Sequence, residues 1–315
     1  MMPSTWLKSL VIAVILMITV GGVTRLTNSG LSITEWKPFH LLPPITEKNW
    51  IEQFNLYKKT PEYTYINKHM TLDGFKKIYL CEYAHRLLGK CFVFLLLLFL
   101  FTIQNTKNKS MKRNILITFF LGIMQGIIGW WMVKSGLKEN PFVGHLHLSL
   151  HLIMAFFIFS ILLILLWKEE GRSFKKISPR NILLLTLIGC TIFYGSSLAG
   201  LKAGLIYNTF PLMEGLWIPS EWSHQKPLWK NFITNASMVQ WTHRFLALLT
   251  LSYTILLWLK NYLAYKKLMI VITTQIAFGI ITLLLKVPLG FALAHQLCAI
   301  LVWHTALKTA LIEDL

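Results

Sequence analysis

Four of the ten histidines stand in matching contexts. His85 follows Glu82-Tyr83-Ala84 and precedes Arg86, and His243 follows Gln240-Trp241-Thr242 and precedes Arg244. His151 stands eight residues after Val143, as His295 stands eight after Val287. An imidazole at the margin of an apolar segment is costly to bury and is usually functional. Two of them facing each other across a helical bundle supply both axial ligands of a haem iron. The pairing suggested is His85 with His151 and His243 with His295. A hydrogen-bonded interfacial histidine is the better description of His40, His69 and His224, which lie in polar segments. The same holds for His304, which is deep in the last apolar block without a matching partner. His147 lies one turn before His151 on the same helix face and competes with it as a ligand. The match to His295 favours His151.

Charged neighbours make the two sets unequal. Glu82 shares a helix face with His85, whereas its counterpart Gln240 can neither carry charge nor take a proton near neutral pH. A carboxylate beside a haem edge could stabilise a developing cation or act as a base. The plainer alternative is an interfacial carboxylate paired with Arg86. Arg86 and Arg244 are candidates for holding haem propionates, against the alternative of arginines reaching for lipid headgroups. Arg25 and Lys202, at the outer ends of two other apolar blocks, invite the same reading. The asymmetry suggests that the first half acts on its haem while the second half holds one.

The elements that must position these side chains are eight apolar blocks: 7–23, 92–103, 115–133, 148–167, 182–201, 245–259, 268–285 and 291–307. With their flanks they approach roughly 20 residues, the span of a bilayer core. The fold class expected is an all-α integral membrane protein of eight transmembrane helices. At 55% hydrophobic and 14% charged, the chain is more apolar than a water-soluble domain of this size. Its net charge of +18 would suit nucleic acid, but the distribution argues for a membrane. Basic residues cluster at Lys107–Arg113, Lys168–Arg180 and Lys260–Lys267, and the alternate short loops carry fewer. That is the positive-inside pattern, and it places both termini in the cytoplasm. The first block reads as a retained helix rather than a signal peptide. The lack of an Arg- and Ser-rich transit peptide favours a bacterial inner membrane. Cys81, Cys91, Cys190 and Cys298 form no CxxC pair and read as core thiols rather than a disulfide framework or zinc site.

A duplication organises the chain. Besides the histidines, Gln125 and Gly129 recur as Gln275 and Gly279, and Thr27-Asn28-Ser29-Gly30-Leu31 is echoed by Leu201-Lys202-Ala203-Gly204-Leu205. The expectation is two pseudo-symmetric four-helix units, residues 1–167 and 181–315, in parallel orientation. Two longer segments, 25–79 and 202–235, should lie outside as lids. The first should carry two short helices, one capped by Thr46 and one by Thr71. One matched histidine per even-numbered span, all at similar depth, suits chemistry at one membrane face. A di-haem electron carrier or quinone oxidoreductase remains open on these residues, as does a transporter built on repeats.

The chain resembles the haem A synthase family, in particular its mitochondrial and alphaproteobacterial branch. The matching stretches are Gly21-Gly22-Val23-Thr24-Arg25-Leu26-Thr27 with Ser29-Gly30-Leu31-Ser32, Glu35-Trp36-Lys37-Pro38, Thr60-Pro61-Glu62-Tyr63, Glu82 to Gly89, and Ala199 to Pro211. The resemblance runs over essentially the whole chain. It implies oxidation of the C8 methyl group of haem O to the formyl group of haem A, with water as oxygen source and cytochrome oxidase as user of the product. It implies a haem b on His243 and His295, the substrate haem on His85 and His151, and a catalytic carboxylate at Glu82. The partners implied are haem O, a haem O synthase, an electron acceptor and membrane lipid. A homo-oligomer stays open, and no nucleic acid is expected. The chain lacks the outer-loop cysteine pair of another branch. The run His145-Leu146-His147 departs from the pattern expected before the ligand histidine.

Overall fold

The computed structural model describes residues 3–37, 41–138 and 141–313; Pro38 and His40 lie outside them. Eleven α-helices follow along the described chain. They are α1 (Pro3–Leu26), α2 (Glu47–Tyr57), α3 (Pro61–Tyr65), α4 (Leu72–Thr102), α5 (Lys109–Gly136), α6 (His145–Glu169), α7 (Pro179–Gly200), α8 (Asn231–Thr234), α9 (Ala236–Lys260), α10 (Tyr262–Leu284) and α11 (Leu289–Leu311). Eight of these, α1, α4, α5, α6, α7, α9, α10 and α11, are long and apolar enough to cross a membrane. In hydrocarbon every backbone group must find a partner within its own helix. Hydroxyls in the spans do the same, donating to carbonyls four residues back: Thr24 to Val20, Thr118 to Asn114, Thr191 to Leu187 and Thr254 to Thr250. The spans leave large apolar side chains exposed, among them Ile12, Phe94, Phe120, Phe157, Leu256 and Ile270. Facing lipid, that costs nothing. The protein is an integral multi-pass membrane protein.

The chain divides into two compact units, one ending at Leu166 and the other beginning at Trp167. In the first unit α1 packs along α4, and α4 along α5. The outer segment differs from expectation. Thr46 caps α2 as read, and its hydroxyl accepts from the Asn49 amide. Thr71 caps no separate short helix, because it begins the 31-residue α4 that continues into the membrane. The short α3 is an addition, started by Thr60 as N-cap with Pro61 in its first turn, a common pairing of start signals. α2 leans on the protruding start of α4 through an aromatic cluster of Phe54, Tyr57, Phe75 and Tyr79 with Ile33. Phe54 and Tyr57 stack on Phe75 at 5.0 and 5.3 Å. Each such buried ring contributes roughly 2 kcal/mol, enough to hold the segment down.

In the second unit α7 packs on α9, α9 on α10, and α10 on α11. Leu184, Ile188, Leu257, Leu268, Ile272, Val302 and Ala306 form their shared core. The outer segment here has only three short 3-10 turns and α8. It is anchored by Asn231, which is fully buried and bonded to the Gln225 and Leu228 carbonyls. The cysteines depart from the core reading: Cys298 is buried, but Cys91 and Cys190 are exposed. A lipid-facing helix surface is apolar too, so apolar context does not imply a protein core.

Candidate functional site

The four matched histidines share one local geometry. Each lies against a glycine on the preceding membrane helix: His85 on Gly21, His151 on Gly129, His243 on Gly195 and His295 on Gly279. The imidazole Cε1 approaches to 3.0, 3.0, 2.9 and 2.8 Å, respectively, of where a Cβ on that glycine would stand. The recurring element is thus a pair of neighbouring helices, one offering a bare backbone and the other a ring. Gly129 and Gly279 were visible as repeat partners in the sequence. Gly21 and Gly195 were not singled out, though the register that matches Gly30 to Gly204 also matches these two.

In the second unit the rings are fixed further. Nδ1 of His243 donates to the Thr191 carbonyl at 3.0 Å, and Nδ1 of His295 to the Gln275 carbonyl at 3.1 Å. Each carbonyl belongs to the residue four before the glycine. A carbonyl only accepts, so the proton sits on Nδ1 and Nε2 keeps a lone pair, the arrangement a metal requires. The Gln275 amide lies 3.4 Å from that nitrogen of His295. The ring centres of His243 and His295 are 6.5 Å apart. A metal held about 2 Å from each ring nitrogen sets two imidazole centres roughly 6 Å apart, so this pair fits an axially ligated haem iron. In the first unit the Met17 carbonyl, again four residues before the glycine, faces His85. Its geometry is looser, and Nδ1 of His85 and of His151 completes no hydrogen bond. His147 turns elsewhere: its ring packs edge-on against Trp131 at 4.1 Å. Among the described residues no three His, Cys, Asp or Glu side chains converge on one point. Pairs of imidazoles suit a porphyrin, which brings its own equatorial nitrogens.

Glu82 is 3% exposed and collects four hydrogen bonds. Ser32 Oγ and the Ile33 amide donate to Oε2 at 2.7 and 2.8 Å. Arg86 Nε and Nη2 donate to Oε1 at 3.0 and 2.6 Å. The sequence alternative of a carboxylate paired with Arg86 describes this geometry. Arg86 also reaches the Ile33 and Glu35 carbonyls. Arg244 repeats the clamp on the Tyr207 and Thr209 carbonyls, both at 2.8 Å. Both arginines therefore hold an outer segment by carbonyls two residues apart, a role that sequence reasoning missed because backbone acceptors leave no side-chain signature. Gln240 replaces the carboxylate and donates to the Tyr207 carbonyl at 3.0 Å. Nε of Arg244 is buried without a partner.

Arg25 ends α1. Lys202 follows α7 in the left-handed region at φ 53°, matched by Asn28 at φ 50° after α1. The backbone thus agrees with the sequence match of Asn28 to Lys202. His304 packs beside Trp167 at 5.6 Å, away from the paired histidines of its unit. In the outer segments, the Lys37 ammonium bonded to Glu35 holds that carboxyl below its usual range. The Tyr207 hydroxyl, 2.7 Å from Glu221, does the same there.

The chain is similar to known proteins along nearly its whole length. A family model described as cytochrome oxidase assembly protein matches residues 4–307. The chain is 40% identical to the heme A synthase of Wolbachia pipientis subsp. Culex pipiens (strain wPip), over 96% of this chain and 95% of that protein. It is 38% identical to the heme A synthase of Ehrlichia canis (strain Jake), over 98% and 91%, respectively. It is 39% identical to that of Allorhizobium ampelinum, over 92% and 85%. By the match to the family model and near full-length similarity to these heme A synthases, the chain belongs to the cytochrome oxidase assembly protein family.

Proposed function

We propose that this protein is a haem A synthase, oxidising the C8 methyl group of haem O to a formyl group. His243 and His295 hold a resident haem b, and His85 and His151 receive the substrate haem. The observation that carries the reading is the second pair: two imidazoles 6.5 Å apart, each pinned through Nδ1 to a backbone carbonyl. The conversion takes up one water and releases four electrons and four protons per methyl group, so an electron acceptor is required. When bound, the haem iron supplies the redox chemistry. The chain supplies position and charge. Arg86 pairs directly with Glu82 at 2.6 Å, and the carboxylate, one turn from His85, offers an oxygen to take a released proton or oppose a developing positive charge. Gln240 offers neither, which supports chemistry in the first unit and storage in the second.

The basic clusters in alternate loops support both termini cytoplasmic and the paired histidines toward the outer face, and the bacterial relatives support an inner-membrane location. A second reading, a di-haem electron carrier, is favoured by one observation: all four donors around Glu82 are already engaged with it. Mass analysis of haems extracted from wild type and Glu82→Gln separates the two. The synthase reading expects haem b in both and haem A only in wild type. Haem b in both proteins with haem A in neither would favour the carrier, and haem A in both would remove Glu82 from the chemistry.

A further inference from the structure

We infer that Gly21, Gly129, Gly195 and Gly279 are positioning residues for the haem-ligating histidines. Each seats an imidazole against the bare backbone of the neighbouring helix. The inference rests on the haem reading above and goes beyond it, because it names what sets the rings. In each of the four cases the approach to the added Cβ is closest at Cε1, next at Nδ1 and farthest at Nε2. Across the four, the Nδ1 distances span 3.3–3.5 Å and the Nε2 distances 3.6–3.7 Å. Two nitrogens and one carbon of a ring keep the same order and nearly the same distances four times over. Loose packing would scatter them.

Other glycines of the membrane helices seat no imidazole: a Cβ on Gly136 meets Leu31 at 2.9 Å, and one on Gly122 meets Phe92 at 3.5 Å. Four have open or ordinary surroundings: a Cβ on Gly89, Gly126 or Gly290 meets nothing within 4 Å, and one on Gly189 meets only Trp303 at 3.8 Å. A helix-interior glycine is less favourable than alanine by roughly 1 kcal/mol, so a glycine under each ring has a local reason that these lack. The reason is the approach to the carbonyl one turn back. A methyl group at Gly195 or Gly279 pushes Cε1 away by several tenths of an ångström, and the Nδ1 bonds to Thr191 and Gln275 open with it. Those bonds fix the tautomer and aim Nε2, and losing such outer support typically weakens metal binding 10–100-fold.

The test uses the full-length protein purified in detergent and reads haem per chain, the optical spectrum and the haem midpoint potential. Gly195→Ala and Gly279→Ala are expected to lose at least tenfold in haem retention, or to keep haem with a displaced band and potential. Gly126→Ala and Gly189→Ala are expected to match wild type in all three. Gly21→Ala and Gly129→Ala are expected to keep the resident haem and bind added haem O at least tenfold more weakly. Wild-type content, spectrum and potential in Gly195→Ala and Gly279→Ala would overturn the inference. So would an equal loss in Gly189→Ala. Aggregation of both alanine variants with Gly189→Ala monodisperse would overturn it too, since the glycines would then serve helix packing alone. His243→Ala is run alongside. If it keeps the haem signal, the ligand assignment itself has failed; if it loses the signal while Gly195→Ala is unchanged, only the glycine inference has.

Discussion

Replacing Glu82 by glutamine tests the first unit at its most connected point. Glutamine keeps the shape but turns one oxygen into an NH2 that only donates. With its carbonyl toward Ser32 and the Ile33 amide, the NH2 faces the two Arg86 donors; flipped, it faces Ser32 and Ile33 instead. The first orientation loses both Arg86 bonds. The second loses the Ile33 bond, because the Ser32 hydroxyl can turn to accept, and leaves Arg86 on a neutral oxygen. Each lost bond to a charged group costs about 1.5–3 kcal/mol. Arg86 is partly exposed and still holds the Ile33 and Glu35 carbonyls, so it relaxes toward solvent and lowers the sum. The expected cost is about 3 kcal/mol, the lower end for removing one partner of a buried pair. For a unit of this size that is a fall in Tm on the order of 5–10 °C, read by thermal shift in detergent. Limited proteolysis should cut the segment after α1 earlier than in wild type. A melting point within about 1 °C of wild type would mean that the pair holds nothing, and the account of Glu82 as an anchored anion would be wrong.

Three further outcomes are expected. Gln240→Glu offers its carboxylate to the unpaired Nε of Arg244 but sets an oxygen against the Tyr207 carbonyl; haem b retention in the second unit should fall several-fold with little change in Tm, and unchanged haem content would show that Arg244's charge plays no part in holding it. His147→Ala removes a ring packed on Trp131 and should leave haem content and product formation intact while His151→Ala abolishes binding of added haem O; the reverse result would move the ligand to His147. The outer segment of the second unit should loosen at both pH extremes. Glu221 is held below its ordinary range by the Tyr207 hydroxyl, so its stabilisation is complete above about pH 4.3 and is lost as pH falls through the lower folded value. Tyr207 is pushed up by burial and then by Glu221, so its share is complete below about pH 10 and declines above. Protease sensitivity of residues 202–235 across pH reads both edges, and a flat profile would refute the contact.

The spans were legible because hydrocarbon enforces long apolar helices, and the four histidines stood out because their sequence contexts recur in order. What stayed illegible follows from the same physics. No proline lies between Leu72 and Glu82 and the one glycine, Gly74, falls in the first turn, so Thr71 starts one continuous α4 that a hydropathy reading divides at the membrane edge. α3 had its signal, Thr60 before Pro61, but only five residues of helix behind it. Cys91 and Cys190 sit in apolar context yet face outward, because hydropathy does not distinguish lipid from core. The arginines looked free for ligand carboxylates, and the structure finds them on loop carbonyls.

The charge around each clamp then explains why similar units need not bind alike. In the first, the Arg86 guanidinium is neutralised by Glu82 at 2.6 Å. A carboxylate arriving there meets no uncompensated positive charge from this arginine. In the second, Gln240 takes the place of Glu82 and spends its amide on the Tyr207 carbonyl. Arg244 keeps its full charge one residue from His243, bonded only to neutral carbonyls. An anionic porphyrin gains more beside an unpaired guanidinium in a low-dielectric setting than beside a neutral pair. A resident haem belongs where the attraction is larger, and a haem that must enter and leave belongs where it is smaller. In the proposed function, this one difference between the two clamps, a carboxylate against an amide, is what separates storage from turnover.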